Sequence, residues 1–182
     1  EVVVVYSQPV GTVSNPELHI SGVGYFFRML WLDGEYDLLA ESNRGSDPCQ
    51  VDVMCPEGND WQCQRDAVVR LRISMGGGIY LCSGAMVNNT ALDCRQLLLS
   101  SFHCADDMSE SDWGFLKVRF NYEYFDCDGT SSFNSHTRTG VYFLTSSDDI
   151  SAGGNINGSD FLLMEVEDPV FDSWTPFYAG WD

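Results

Sequence analysis

Residues 115–125 read Phe-Leu-Lys-Val-Arg-Phe-Asn-Tyr-Glu-Tyr-Phe. Apolar and polar side chains alternate along this run, which is the period of a strand with one buried face. The same period recurs in residues 67–74, AVVRLRIS. Gly76, Gly77 and Gly78 then turn the chain, and residues 79–87 return as the hairpin partner. Further strands are expected at residues 96–101, where Leu97, Leu98 and Leu99 are dense enough for a core, and at 141–145 and 161–166. No long stretch repeats at helical spacing, and there is no internal repeat. Short strands separated by Gly, Asn and Asp turns predict an all-β barrel or sandwich.

The chain has 182 residues, enough for one domain with a small appendage and a sizeable core. Residues 1–47 form the appendage. They comprise a β-branched start and an apolar and aromatic stretch over 18–32, and a polar linker or long loop over 33–48 marks the boundary. Residues 48–182 form the main domain. Nine Lys and Arg face 27 Asp and Glu, a net charge of -18. That balance excludes nucleic acid as a main partner, because phosphates need a basic footprint, and it disfavours anionic membrane surfaces. No run reaches the roughly 20 apolar residues of a membrane helix. The chain begins at Glu1 with neither an initiator Met nor a signal peptide, and reads as a processed or partial product.

Seven cysteines occur, at 49, 55, 63, 82, 94, 104 and 127, and none forms a Cys-x-x-Cys pair. Zinc-ribbon and thioredoxin-type readings are therefore weak, and a disulfide framework in an extracellular protein fits better. The odd count leaves one cysteine without an internal partner.

Two segments carry a family resemblance. Cys82-Ser-Gly-Ala-Met-Val-Asn-Asn-Thr90 followed by Leu97-Leu-Leu-Ser-Ser-Phe-His-Cys104 resembles the trypsin-like serine proteases. Pro48-Cys-Gln-Val-Asp-Val-Met-Cys-Pro-Glu-Gly58 narrows the likeness to the Achromobacter-type lysyl endopeptidase branch. Phe120-Asn-Tyr122, residues 159–166 (SDFLLMEV) and Tyr178-Ala-Gly-Trp-Asp182 extend it in the same order. The resemblance implies a trypsin-like first, N-terminal β-barrel over 48–182, with the second barrel absent from this chain. It likens residues 19–28 to the end of a pro-region.

The resemblance implies that His103 is the general base and Asp160 the carboxylate that orients it. The nucleophilic serine is not here: the family's Gly-x-Ser-Gly motif is missing, and Ser100, Ser101, Ser109 and Ser111 lie in the wrong element for it. It also implies disulfides Cys82–Cys104 and Cys55–Cys127. Cys63 and Cys94 have no counterpart in the family pattern and are expected to bond to each other, since added cysteines in secreted proteins arrive in pairs. Cys49 is then the odd one, a free thiol or a tether to a second protease half or another chain.

Asn88 and Asn157 head glycosylation sequons. Acidic clusters at Asp106, Asp107, Glu110 and Asp112 and at Asp126 and Asp128 do not follow a calcium-loop pattern and read as solvated faces, with a docking face for a basic partner as the alternative. No cofactor is expected. The leading functional expectation is part of a secreted serine endopeptidase, supplying His and Asp while a missing half supplies serine, oxyanion hole and specificity pocket. The alternative is a noncatalytic protease-like structural or binding component of an extracellular assembly. In either case the chain alone is expected not to hydrolyse peptides.

Overall fold

A computed structural model describes residues 51–127, 133–147 and 159–180. The expectations for residues 1–47 and for Cys49, Asn157 and Asp128 lie outside the described residues. Among the described residues seven strands make one antiparallel sheet: β1 (Val68–Met75), β2 (Gly78–Val87), β3 (Leu97–Ser101), β4 (Lys117–Tyr124), β5 (Phe133–Thr139), β6 (Val141–Ser146) and β7 (Phe161–Val166). Their order across the sheet is β5-β4-β1-β2-β3-β7-β6.

The two outermost strands, β5 and β6, are consecutive in sequence and joined by Gly140 alone. The sheet must therefore roll until its two edges meet at that residue. Gly140 has φ +93. A Cβ placed there would meet only the movable Glu167 carboxylate, so it is the backbone conformation that calls for glycine. Its N–H donates to Leu116 O at 2.9 Å and its carbonyl accepts from Glu167 N at 3.1 Å, which ties the corner to the start of β4 and the end of β7.

The core fills the inside of the roll. From β1 it takes Val69, Leu71, Ile73 and Met75, and from β4 it takes Val118 and Phe120. β7 adds Leu162, Met164 and Val166, while Met86 and Leu98 come from β2 and β3. These are alternate positions, so the period-2 pattern in the sequence places one face inward. Gly76 and Gly77 both have positive φ and form the two-residue turn between β1 and β2, with Met75 opposite Gly78. Twist-matched hairpin turns need two such residues.

The strands fall where alternation predicts them, within one or two residues at each end. Two elements were not anticipated. A six-residue helix, α1 (Gln62–Ala67), precedes β1, and β5 (FNSHTRT) is a strand built from mostly polar residues. Neither has an apolar repeat to announce it. β5 is held by its ladder to β4, with Thr139 opposite Lys117 and Thr137 opposite Arg119.

Cys55 is bonded to Cys127 and Cys82 to Cys104. Cys63 and Cys94 are both free and exposed, so the expected bridge between them is not formed. Cys63 sits on α1 beside β1, whereas Cys94 lies in the loop that leads into β3. No helix among the described residues is long and apolar enough to cross a membrane.

Candidate functional site: the His103–Asp160 rim

β3 ends at Ser101 and β7 begins at Phe161, and these two residues are directly paired. The antiparallel register therefore brings the residues just beyond them together at one rim of the sheet, although 57 positions separate His103 from Asp160. The ladder continues for one more bond, Phe102 N–H to Asp160 O at 3.0 Å.

His103 lies in a single 3-10 turn, Phe102–Cys104, closed by Ala105 N–H donating to Phe102 O at 2.8 Å. Cys104 is buried and its bond to Cys82 staples the turn to β2. Asp160 takes φ +48, a left-handed conformation that Asp tolerates better than bulky or branched residues do. That bend turns the carboxylate back toward the end of β3.

The carboxylate meets His103 twice. Asp160 Oδ1 accepts the His103 backbone N–H at 2.9 Å, and Oδ2 lies 2.5 Å from Nδ1. The Asp160 side chain is 15% exposed and that of His103 44%. The neutral ring is thus held as the Nδ1–H tautomer, with the Nε2 lone pair facing outward. This is the arrangement a general base requires.

No nucleophile completes the arrangement among the described residues, where the hydrogen bonds of His103 run to Asp160. Ser100 Oγ donates to Ser83 O at 2.8 Å, turned toward β2. Ser109 Oγ donates to Asp112 Oδ2 at 2.7 Å and lies 3.0 Å from Ser111 Oγ. The Ser109 hydroxyl, and then its backbone N–H, hold the Asp112 carboxyl below its usual range. This acidic loop is therefore organised by its own serines. Among the described residues no group of three His, Cys, Asp or Glu is placed to hold a metal ion. Asn88 is half-buried, and its Oδ1 accepts the Asn89 N–H at 2.8 Å.

A second feature escaped the sequence reading. On the outer face of the sheet Arg70 stands opposite Arg119, and Arg72 opposite Lys117. The signal was present as two runs, Arg-Leu-Arg and Lys-Val-Arg, each with cations two apart. Pairing of β1 with β4 is what merges them into a block.

Comparison with known proteins matches residues 44–182 to the family described as lysyl endopeptidase, C-terminal domain. Lysyl endopeptidase of Pseudomonas aeruginosa is 29% identical over 177 residues, covering 90% of this chain and 34% of that protein. The chain thus spans about a third of the length of the curated relative it matches. Two expectations are corrected by this match. The matched region is the family's C-terminal domain, so the assignment to an N-terminal first barrel does not hold. With it falls the reading of the chain as the His- and Asp-bearing N-terminal half of an endopeptidase. The motifs around Cys82, His103 and Asp160 identify a kind of rolled sheet, and local motifs carry no information on where that sheet stands in a longer protein. What stands is a half-barrel sheet of the trypsin-like kind, distantly homologous to a serine protease.

Proposed function

The chain belongs to the lysyl endopeptidase C-terminal domain family, and from that premise we propose that it acts as a noncatalytic, protease-like structural or binding component of a secreted, extracellular assembly. The observation that carries this reading is a base without a nucleophile. His103 is held by Asp160 in the base-competent tautomer, while Ser100, Ser109 and Ser111 give their hydroxyls to other partners. No Gly-x-Ser-Gly occurs in the 182 residues. A base alone supplies neither the covalent step nor the charge stabilisation that peptide hydrolysis needs.

Two disulfides support an oxidising compartment. In this reading the doubly held pair is a structural tie at the rim, joining the turn after β3 to the start of β7. The test is direct. The pure 182-residue chain is incubated with a lysyl ester and a lysine-containing peptide, and separately with a fluorophosphonate probe. Neither turnover above buffer nor covalent labelling is expected. Turnover that the fluorophosphonate abolishes would overturn the proposal.

A further inference from the structure

We propose that the acidic segment 33–47 of this same chain docks on the outer face of β1 and β4, across a block of four cations. Arg70, Arg72, Lys117 and Arg119 occupy adjacent outward positions on these two strands, and like charges stand directly opposite each other in both rows. Such cross-strand pairs are unfavourable by themselves. The chain as a whole carries 27 acids against nine bases, so four of its nine cations share one small face. The carboxylates of Asp66 and Glu123 pair with Arg65, at 3.4 and 3.2 Å. Among the described residues neither Arg70 nor Lys117 has a carboxylate partner; Arg70 lies over the Tyr122 ring at 4.2 Å.

The block runs into an open cleft of about 800 Å³ between α1 and the outer face of β1, β2 and β4. Trp61, Val68 and Leu81 line it and are exposed, an unusual apolar lining for the outside of a rolled sheet. This face therefore suits an occupant that is both acidic and apolar.

Chain continuity names the occupant. Val53 lies on the cleft wall, and Asp47 stands only six positions before it. Residues 33–47 contain Asp33, Glu35, Asp37, Glu41 and Asp47 against the single cation Arg44, with Tyr36, Leu38, Leu39 and Ala40 between them. Fully extended, 15 residues reach about 50 Å, and neighbouring strands lie only about 4.8 Å apart. The segment is long enough to cross both strands and to bring its apolar centre to the cleft. Tethering keeps it at high local concentration, so modest attraction suffices.

Lys117 is the only lysine in the chain, which makes the test specific. The full chain is treated with a zero-length carbodiimide, and the monomer fraction is mapped by mass spectrometry. The expected product joins Lys117 to a carboxylate within 33–47, and its yield falls in 1 M salt, where the screening length is about 3 Å. A variant with Asp33, Glu35, Asp37, Glu41 and Asp47 changed to their amides loses this link while leaving the sheet untouched. Three results overturn the proposal: Lys117 left unlinked, Lys117 linked only within covalent dimers, or Lys117 linked only to carboxylates outside residues 33–47. The hydrolysis assay reads a different property, so failure of either proposal leaves the other standing.

Discussion

Asp160 holds His103 at two points, one oxygen on its backbone N–H at 2.9 Å and the other on its ring Nδ1 at 2.5 Å. The backbone bond fixes which way the carboxylate lies, and that in turn dictates the ring tautomer. Because an amide N–H is always a donor, Asn at position 160 must turn its own oxygen toward it and its NH₂ toward the ring. Asp160→Asn should therefore move the imidazole proton from Nδ1 to Nε2. Proton–nitrogen correlation spectra of the neutral ring check this, and Nδ1 protonated in both proteins would contradict it. Asp160→Ala should lower stability by about 0.5–1.5 kcal/mol, the net worth of a hydrogen bond whose donors water can reach once the carboxylate is gone.

The free thiols are directly testable. Iodoacetamide added to the native, unreduced protein should alkylate Cys63 and Cys94, which are exposed and unbonded. Cys55, Cys82, Cys104 and Cys127 should react only after reduction. Native protection of Cys63 and Cys94 together, released by reductant, would restore the bridge that the structure lacks.

Gly84 sits on β2 where an added Cβ would come within 2.9 Å of both Leu98 Cδ1 and Leu99 O. Leu98 is fully buried and the carbonyl is backbone, so only the side chain can yield. Gly84→Ala should cost about 1–3 kcal/mol by overpacking. Denaturant unfolding measures it; a neutral result would show that β2 and β3 can separate without penalty.

Acid sensitivity has one traceable source at Glu165. The Arg95 guanidinium, which hydrogen-bonds it at 2.5 and 3.1 Å and adds its charge, holds this carboxyl below its usual range. A carboxyl depressed in the folded state stabilises above its unfolded value, about 4.3, and that contribution is lost as pH falls through the folded value. Glu165→Gln should therefore be less stable than the parent near neutral pH and converge with it in acid. The gap should shrink in high salt, since the pair is largely solvent-facing. A gap that stays constant from pH 7 to pH 2 would remove Glu165 from the acid limb.

What the sequence by itself determined is the β character of this chain. Alternation in β1, β4 and β7 and the glycines at 76 and 77 suffice, because strand period and hairpin turns are local properties. The rim pair was also legible, since His103 and Asp160 stand at the ends of two recognisable strands and carry a family pattern. The helix α1 and the polar strand β5 were not, because neither has an apolar rhythm and each exists through what it packs or pairs against. The fate of Cys63 and Cys94 could not be read from counting: bond formation depends on distance, and one sits beside β1 while the other precedes β3. Tertiary structure alone decided the cation block as well. Arg70 and Arg119 lie 49 positions apart, and only the register between β1 and β4 sets them face to face.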